Sequence, residues 1–94
     1  MARARTLADA GRLDDALAEV ARAGPSADAF SLLGVIQQAR GDRAAAAAAF
    51  RKALYLDPGH REALTHAMLL SAQQGDAGRA AVLRERLART GGEP

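Results

Sequence analysis

The chain has no cysteine, no tryptophan and only three aromatic residues, Phe30, Phe50 and Tyr55. Disulfide stapling and a cysteine-ligated zinc are thereby excluded, and an aromatic-rich pocket goes with them. Charge of one sign is also scarce: thirteen basic residues against eleven acidic ones leave a net charge of +2, and Lys52 is the only lysine. A nucleic-acid footprint usually concentrates more cations and adds lysines, stacking aromatics or a reading motif, so no nucleic-acid partner is expected. No apolar run approaches the roughly 20 residues of a membrane span. The start, Met1 to Thr6, carries Arg3 and Arg5 and lacks the apolar centre of a signal peptide. The expectation is a cytoplasmic protein without membrane insertion.

What the chain has in abundance is alanine, 25 of 94 residues. A chain of this length buries only about 60 to 65% of its unfolded surface, so its core must be made economically. Alanine is the best helix former, and its small side chain lets helix axes approach closely. An all-α fold follows.

The chain repeats itself. A shift of 34 residues lays Phe30 on Leu64, Gly41 and Asp42 on Gly75 and Asp76, and Ala46 on Ala80. A shift of 30 in the other direction lays Gly41, Ala46 and Ala53 on Gly11, Ala16 and Ala23. Each unit reads as two helices. In the middle one, Ala29, Phe30, Leu33, Val35 and Ile36 are helically spaced between Ala27 and Arg40, and Gly41 caps the run. Asp42 is the expected N-cap of a second helix, Arg43 to Leu56, with Ala46, Ala49, Phe50, Ala53 and Leu54 on its apolar face. Asp57, Pro58 and Gly59 stop it. The third unit predicts helices over His60 to Gln74 and Ala77 to Arg89. The first is shortened, with helices over about residues 2 to 10 and Leu13 to Ala23. The units are thus about 1–25, 26–59 and 60–92, about six helices in one domain.

A 34-residue helix-turn-helix unit resembles the tetratricopeptide repeat. Phe30, Leu33, Gly34, Ala46, Phe50, Ala53 and Pro58 match that family's pattern at correct spacing. Gly34 and Ala46 are small because the two helices are expected to touch there, with Phe30 and Phe50 filling the space on either side. Departures are informative. Gln37 replaces the usual tyrosine, Met68 stands where a small residue belongs, Arg84 where the second aromatic belongs and Gly92 where the proline belongs. Arg84 would face a following repeat, so the last helix reads as a polar cap with Arg84 exposed and Leu83 and Leu87 buried. The segment Phe50 to Leu70 is similar to the C-terminal tetratricopeptide tail of CheR-type chemoreceptor methyltransferases, including those of the Wsp and Frz signalling systems. That resemblance implies a bacterial chemotaxis-type parent using S-adenosylmethionine, of which this chain is a fragment. These residues themselves call for no catalysis and no cofactor.

His60, His66, Asp57 and Glu62 invite a metal site, since Glu62 and His66 lie four apart on one helix. Such a site needs three or four convergent ligands, and His60 falls on another side of that helix, so solvated polar residues are expected instead. No serine lies in a nucleophile elbow, and no glycine-rich loop follows a strand. The Arg79 to Arg89 cluster reads as part of the cap, arginines near the helix C-terminus also suiting its dipole.

What remains is the surface that stacked helix pairs create. The leading helix of each pair lines the concave face. With Phe30, Leu33, Gly34 and Gln37 assigned to packing, its open stripe is Asp28, Ser31, Val35 and Gln38. The third unit's equivalents are Glu62, Thr65, Leu69 and Ala72, and the first adds Arg5 and Ala8. Val35 and Leu69 make an apolar middle with a partly acidic edge, which suits a peptide or helix bearing one or two apolar anchors. The expected function is a non-catalytic protein-interaction module whose partner is a receptor, another signalling protein or the parent's own catalytic domain. The rival is a structural domain that dimerises through its open N-terminal end and has no separate ligand.

Overall fold

The structure, a computed structural model, describes residues 1–91. Six helices follow one another: α1 (Ala2–Asp9), α2 (Leu13–Ala23), α3 (Ala27–Ala39), α4 (Arg43–Leu56), α5 (Arg61–Gln73) and α6 (Ala77–Gly91). No strand occurs among the described residues. The expected boundaries fall within about two residues of these.

The turns inside the three pairs share a left-handed glycine, Gly11, Gly41 or Gly75, and in the second and third an aspartate cap follows it. Arg40 ends the helical conformation, Gly41 takes φ +86°, and the amide of Asp42 donates to the Gln37 carbonyl at 2.9 Å. That bond, with Gly41 N–H to Gln38 O at 3.0 Å, is a Schellman closure requiring a left-handed residue. Asp42 Oδ1 then accepts from the Ala45 amide at 3.0 Å and starts α4. Gly75 and Asp76 do the same, with φ +80° and an Asp76 Oδ1 bond to the Arg79 amide.

The helices form an all-α tetratricopeptide-type solenoid. The pairs α1–α2, α3–α4 and α5–α6 pack as hairpins, α2 meets α3, α4 meets α5, and the leading helices α3 and α5 touch. Two core clusters result. Ala4, Ala16, Val20, Ala29, Leu32 and Ile36 make the first. Phe50, Leu54, Leu64, Leu70 and Leu83 anchor the second, with small alanines from α4 and α5 between them.

Helix α3 serves both clusters, Val35 packing against each. Leu32, 1% exposed, was not among the expected core residues of α3. The atoms nearest the missing Cβ of Gly34 belong to Phe50 rather than Ala46, so the close approach is glycine to aromatic ring. The Phe50 ring also stacks on His66, with centroids 5.7 Å apart and planes 6° apart. In α6, Leu83 is buried and Arg84 exposed as expected, while Leu87 is half-buried. Gly92 lies outside the described residues. No helix among the described residues is long and apolar enough to cross a membrane.

Candidate functional site

The leading helices meet at a single carboxylate. Arg5 of α1 forks onto Glu62 of α5, Nη1 donating to Oε2 at 2.8 Å and Nη2 to Oε1 at 3.0 Å. Ser31 of α3 donates its hydroxyl to the same Oε1 at 3.1 Å. All three units are therefore joined through Glu62, and a bidentate guanidinium gives the junction a fixed geometry. The Arg5 hydrogen bond, more than any other influence, holds the Glu62 carboxyl below its ordinary range; the Arg5 charge and the Ser31 hydroxyl add to this and partial burial opposes it. The same contact raises Arg5.

Ser31 was expected on the open stripe and is instead fully buried. A small side chain there is covered by the partners that α1 and α5 send across it. Asp28 is exposed, but its Oδ1 lies 2.6 Å from His60 Nε2. His60 is the N-cap of α5, its Nδ1 accepting from the Ala63 amide at 3.2 Å, so the ring hydrogen sits on Nε2 and is donated to Asp28. His60 is thus a packed connector between units and not the solvated residue expected. His66 is engaged with Phe50, and Asp57 Oδ1 accepts from the Gly59 amide at 3.2 Å. No group of three or more metal-ligating side chains occurs among the described residues.

The rest of the stripe divides. Thr65 turns its hydroxyl back to the Arg61 carbonyl at 2.9 Å, as side chains within a helix turn often do. Gln38 and Val35 are half-buried, Val35 because both core clusters reach it. Leu69 stands out at 48% exposed. It follows Glu62 by seven residues, two helical turns, and so shares that residue's face. Sequence reasoning overlooked a second apolar surface, on the exposed side of α4, where Tyr55 is 85% and Leu56 52% exposed. Its signal was two consecutive large apolar residues of which neither belongs to the buried α4 stripe.

Residues 27–60 match the family model described as tetratricopeptide repeat. The chain is 44% identical over 91 residues to the probable biofilm formation methyltransferase WspC of Pseudomonas putida strain KT2440, covering 93% of this chain and 22% of that protein. It is likewise 44% identical over 87 residues to the Pseudomonas aeruginosa strain PAO1 protein of the same name, covering 88% of this chain and 21% of that protein. The chain spans about a fifth of the length of the curated relatives it matches.

Proposed function

We propose that residues 1–94 are a non-catalytic protein-interaction domain, the regulatory tetratricopeptide region of a chemotaxis-type protein-glutamate methyltransferase acting in the cytoplasm. The observation that carries this is Leu69, an apolar side chain left half-exposed on a leading-helix face whose neighbouring charges are already locked by Arg5, Ser31 and Glu62. A preorganised face with an unfilled apolar point suits a partner helix or peptide, because the ordering cost of the surface is met before binding. Ser31, Glu62, Asp28 and His60 at the N-terminal end of that face are committed to structural contacts, and the similarity to proteins named methyltransferases supports a methyltransferase parent. The partner-binding face comprises Arg5, Asp28, Ser31, Val35, Gln38, Glu62, Thr65 and Leu69, with Ser31 and Val35 shaping it from beneath. The partner is a receptor segment or the parent's own catalytic domain, and S-adenosylmethionine belongs to that catalytic domain.

The test is an NMR titration of the isotope-labelled chain with a chemoreceptor cytoplasmic fragment and, separately, with a relative's catalytic domain. Shift changes along α1, α3 and α5 that vanish in Leu69→Asp are expected from one of the two. Changes confined to other helices, or none with either, overturn the assignment. Light scattering on the same samples separates the dimerisation rival.

A further inference from the structure

We propose that the exposed side of α4, where it ends beside the start of α3, is a second docking surface, for a peptide segment that combines an apolar anchor with carboxylates. It goes beyond the leading-helix face and shares none of the eight residues assigned there. An apolar trough of about 410 Å³ is lined by Pro25, Phe30, Arg51, Lys52, Tyr55 and Leu56. A second depression of about 210 Å³ continues from it through Pro25 and Phe30 towards Val20 and Leu33. Tyr55 and Leu56 are the two large apolar side chains most open to solvent beside it. A trough of this size takes one or two aliphatic or aromatic side chains.

The charge around the trough selects the partner. No acid lines either depression. Lys52 lies with its Nζ 5.5 Å from the Phe30 ring centroid, and neither it nor Arg51 is in an ion pair among the described residues. Arg51 also borders, with Arg79, a neighbouring pocket of about 160 Å³ that holds no acid. A ligand lying across Arg51 therefore meets apolar surface on one side and two guanidinium groups on the other. Carboxylates satisfy such groups by forked hydrogen bonds, whereas a basic segment is repelled. A second copy of this chain is a poor occupant, because a two-fold dimer through Tyr55 and Leu56 brings the Arg51 and Lys52 pairs of both copies together.

The experiment pans a phage-displayed library of random 12-residue peptides against the immobilised 94-residue chain and measures the enriched peptides by fluorescence polarisation. Binding is compared for the unaltered chain and for Tyr55→Asp, Arg51→Glu and Leu69→Asp, with circular dichroism confirming the helices. The expected result is a class of peptides with a large apolar residue within about four positions of Asp or Glu, this being one helical turn. Their Kd should rise about tenfold or more in both Tyr55→Asp and Arg51→Glu, stay within about twofold in Leu69→Asp, and rise with salt. Three outcomes overturn the proposal: no class sensitive to Tyr55→Asp, a sensitive class that is basic or uncharged, or a dimer seen by light scattering that Tyr55→Asp abolishes. Failure of the leading-helix reading shows separately, as loss of every response to Leu69→Asp in the receptor and catalytic-domain titrations.

Discussion

Gly34 of α3 lies directly under the ring of Phe50 of α4: a Cβ added at Gly34 would stand 2.4 Å from Phe50 Cε1. The ring has nowhere to retreat, being 1% exposed and stacked on His66 from α5. Overpacking a rigid core costs about 1 to 3 kcal/mol, and the helix preference of alanine over glycine returns about 1 kcal/mol. Gly34→Ala should therefore lower stability by up to about 2 kcal/mol, read as a lower urea midpoint at unchanged slope. Phe50→Leu should cost less in the Gly34→Ala background than in the unaltered chain, because it removes ring atoms that clash.

Val35 and Leu69 occupy equivalent positions 34 residues apart yet should respond oppositely. The sequence alone leads one to expect that aspartate is tolerated at both. Val35 packs against both clusters, so Val35→Asp should cost about 1 to 3 kcal/mol through burial of an unpaired charge. Leu69→Asp should stay within about 0.5 kcal/mol, as surface changes usually do. Thermal denaturation of the two variants side by side checks the difference; equal midpoints would contradict the packing described.

In α6 the contrast lies between neighbours. Leu83 is 2% exposed within the second cluster, and truncating it to alanine should cost about 2 to 5 kcal/mol. Arg84 is exposed, so Arg84→Ala should change stability by less than about 0.5 kcal/mol. A large effect of Arg84→Ala on the midpoint would place that side chain in an interface.

Acid should loosen the junction of the three units. The folded-state carboxyl of Glu62 titrates below its ordinary value of 4.5. The chain then binds more protons at this group when unfolded than when folded, and the stabilisation is present above pH 4.5 and lost as pH falls through the lowered value. The Arg5 side chain is 47% exposed, so screening limits the pair to about 0.2 to 1 kcal/mol. Glu62→Gln should flatten that part of the stability profile, and 0.5 M salt should shrink it in the unaltered chain. An identical acid limb in Glu62→Gln would show that other carboxylates govern it.

Helix count, pairing order and turn positions were legible in the sequence because they rest on local chemistry. Gly41, Gly75 and the aspartates after them recur at the repeat spacing, and a left-handed glycine followed by a capping carboxylate ends one helix and begins the next wherever the chain lies. The periodic alanines and Phe50 likewise identified the buried face of α4, since an outer helix has one face to bury and its pattern reads directly. Helix α3 is different. It lies between two clusters, so Leu32 and Ile36 face one way, Phe30 another, and Ser31 is closed over by Glu62 and Arg5 from units far away in sequence. A helix enclosed on several sides has no single stripe to read. Which of its polar residues becomes a connector is decided only when α1 and α5 arrive beside it. The same holds for His60, whose ring caps its own helix by local rule but reaches Asp28 only through the stacking of successive units.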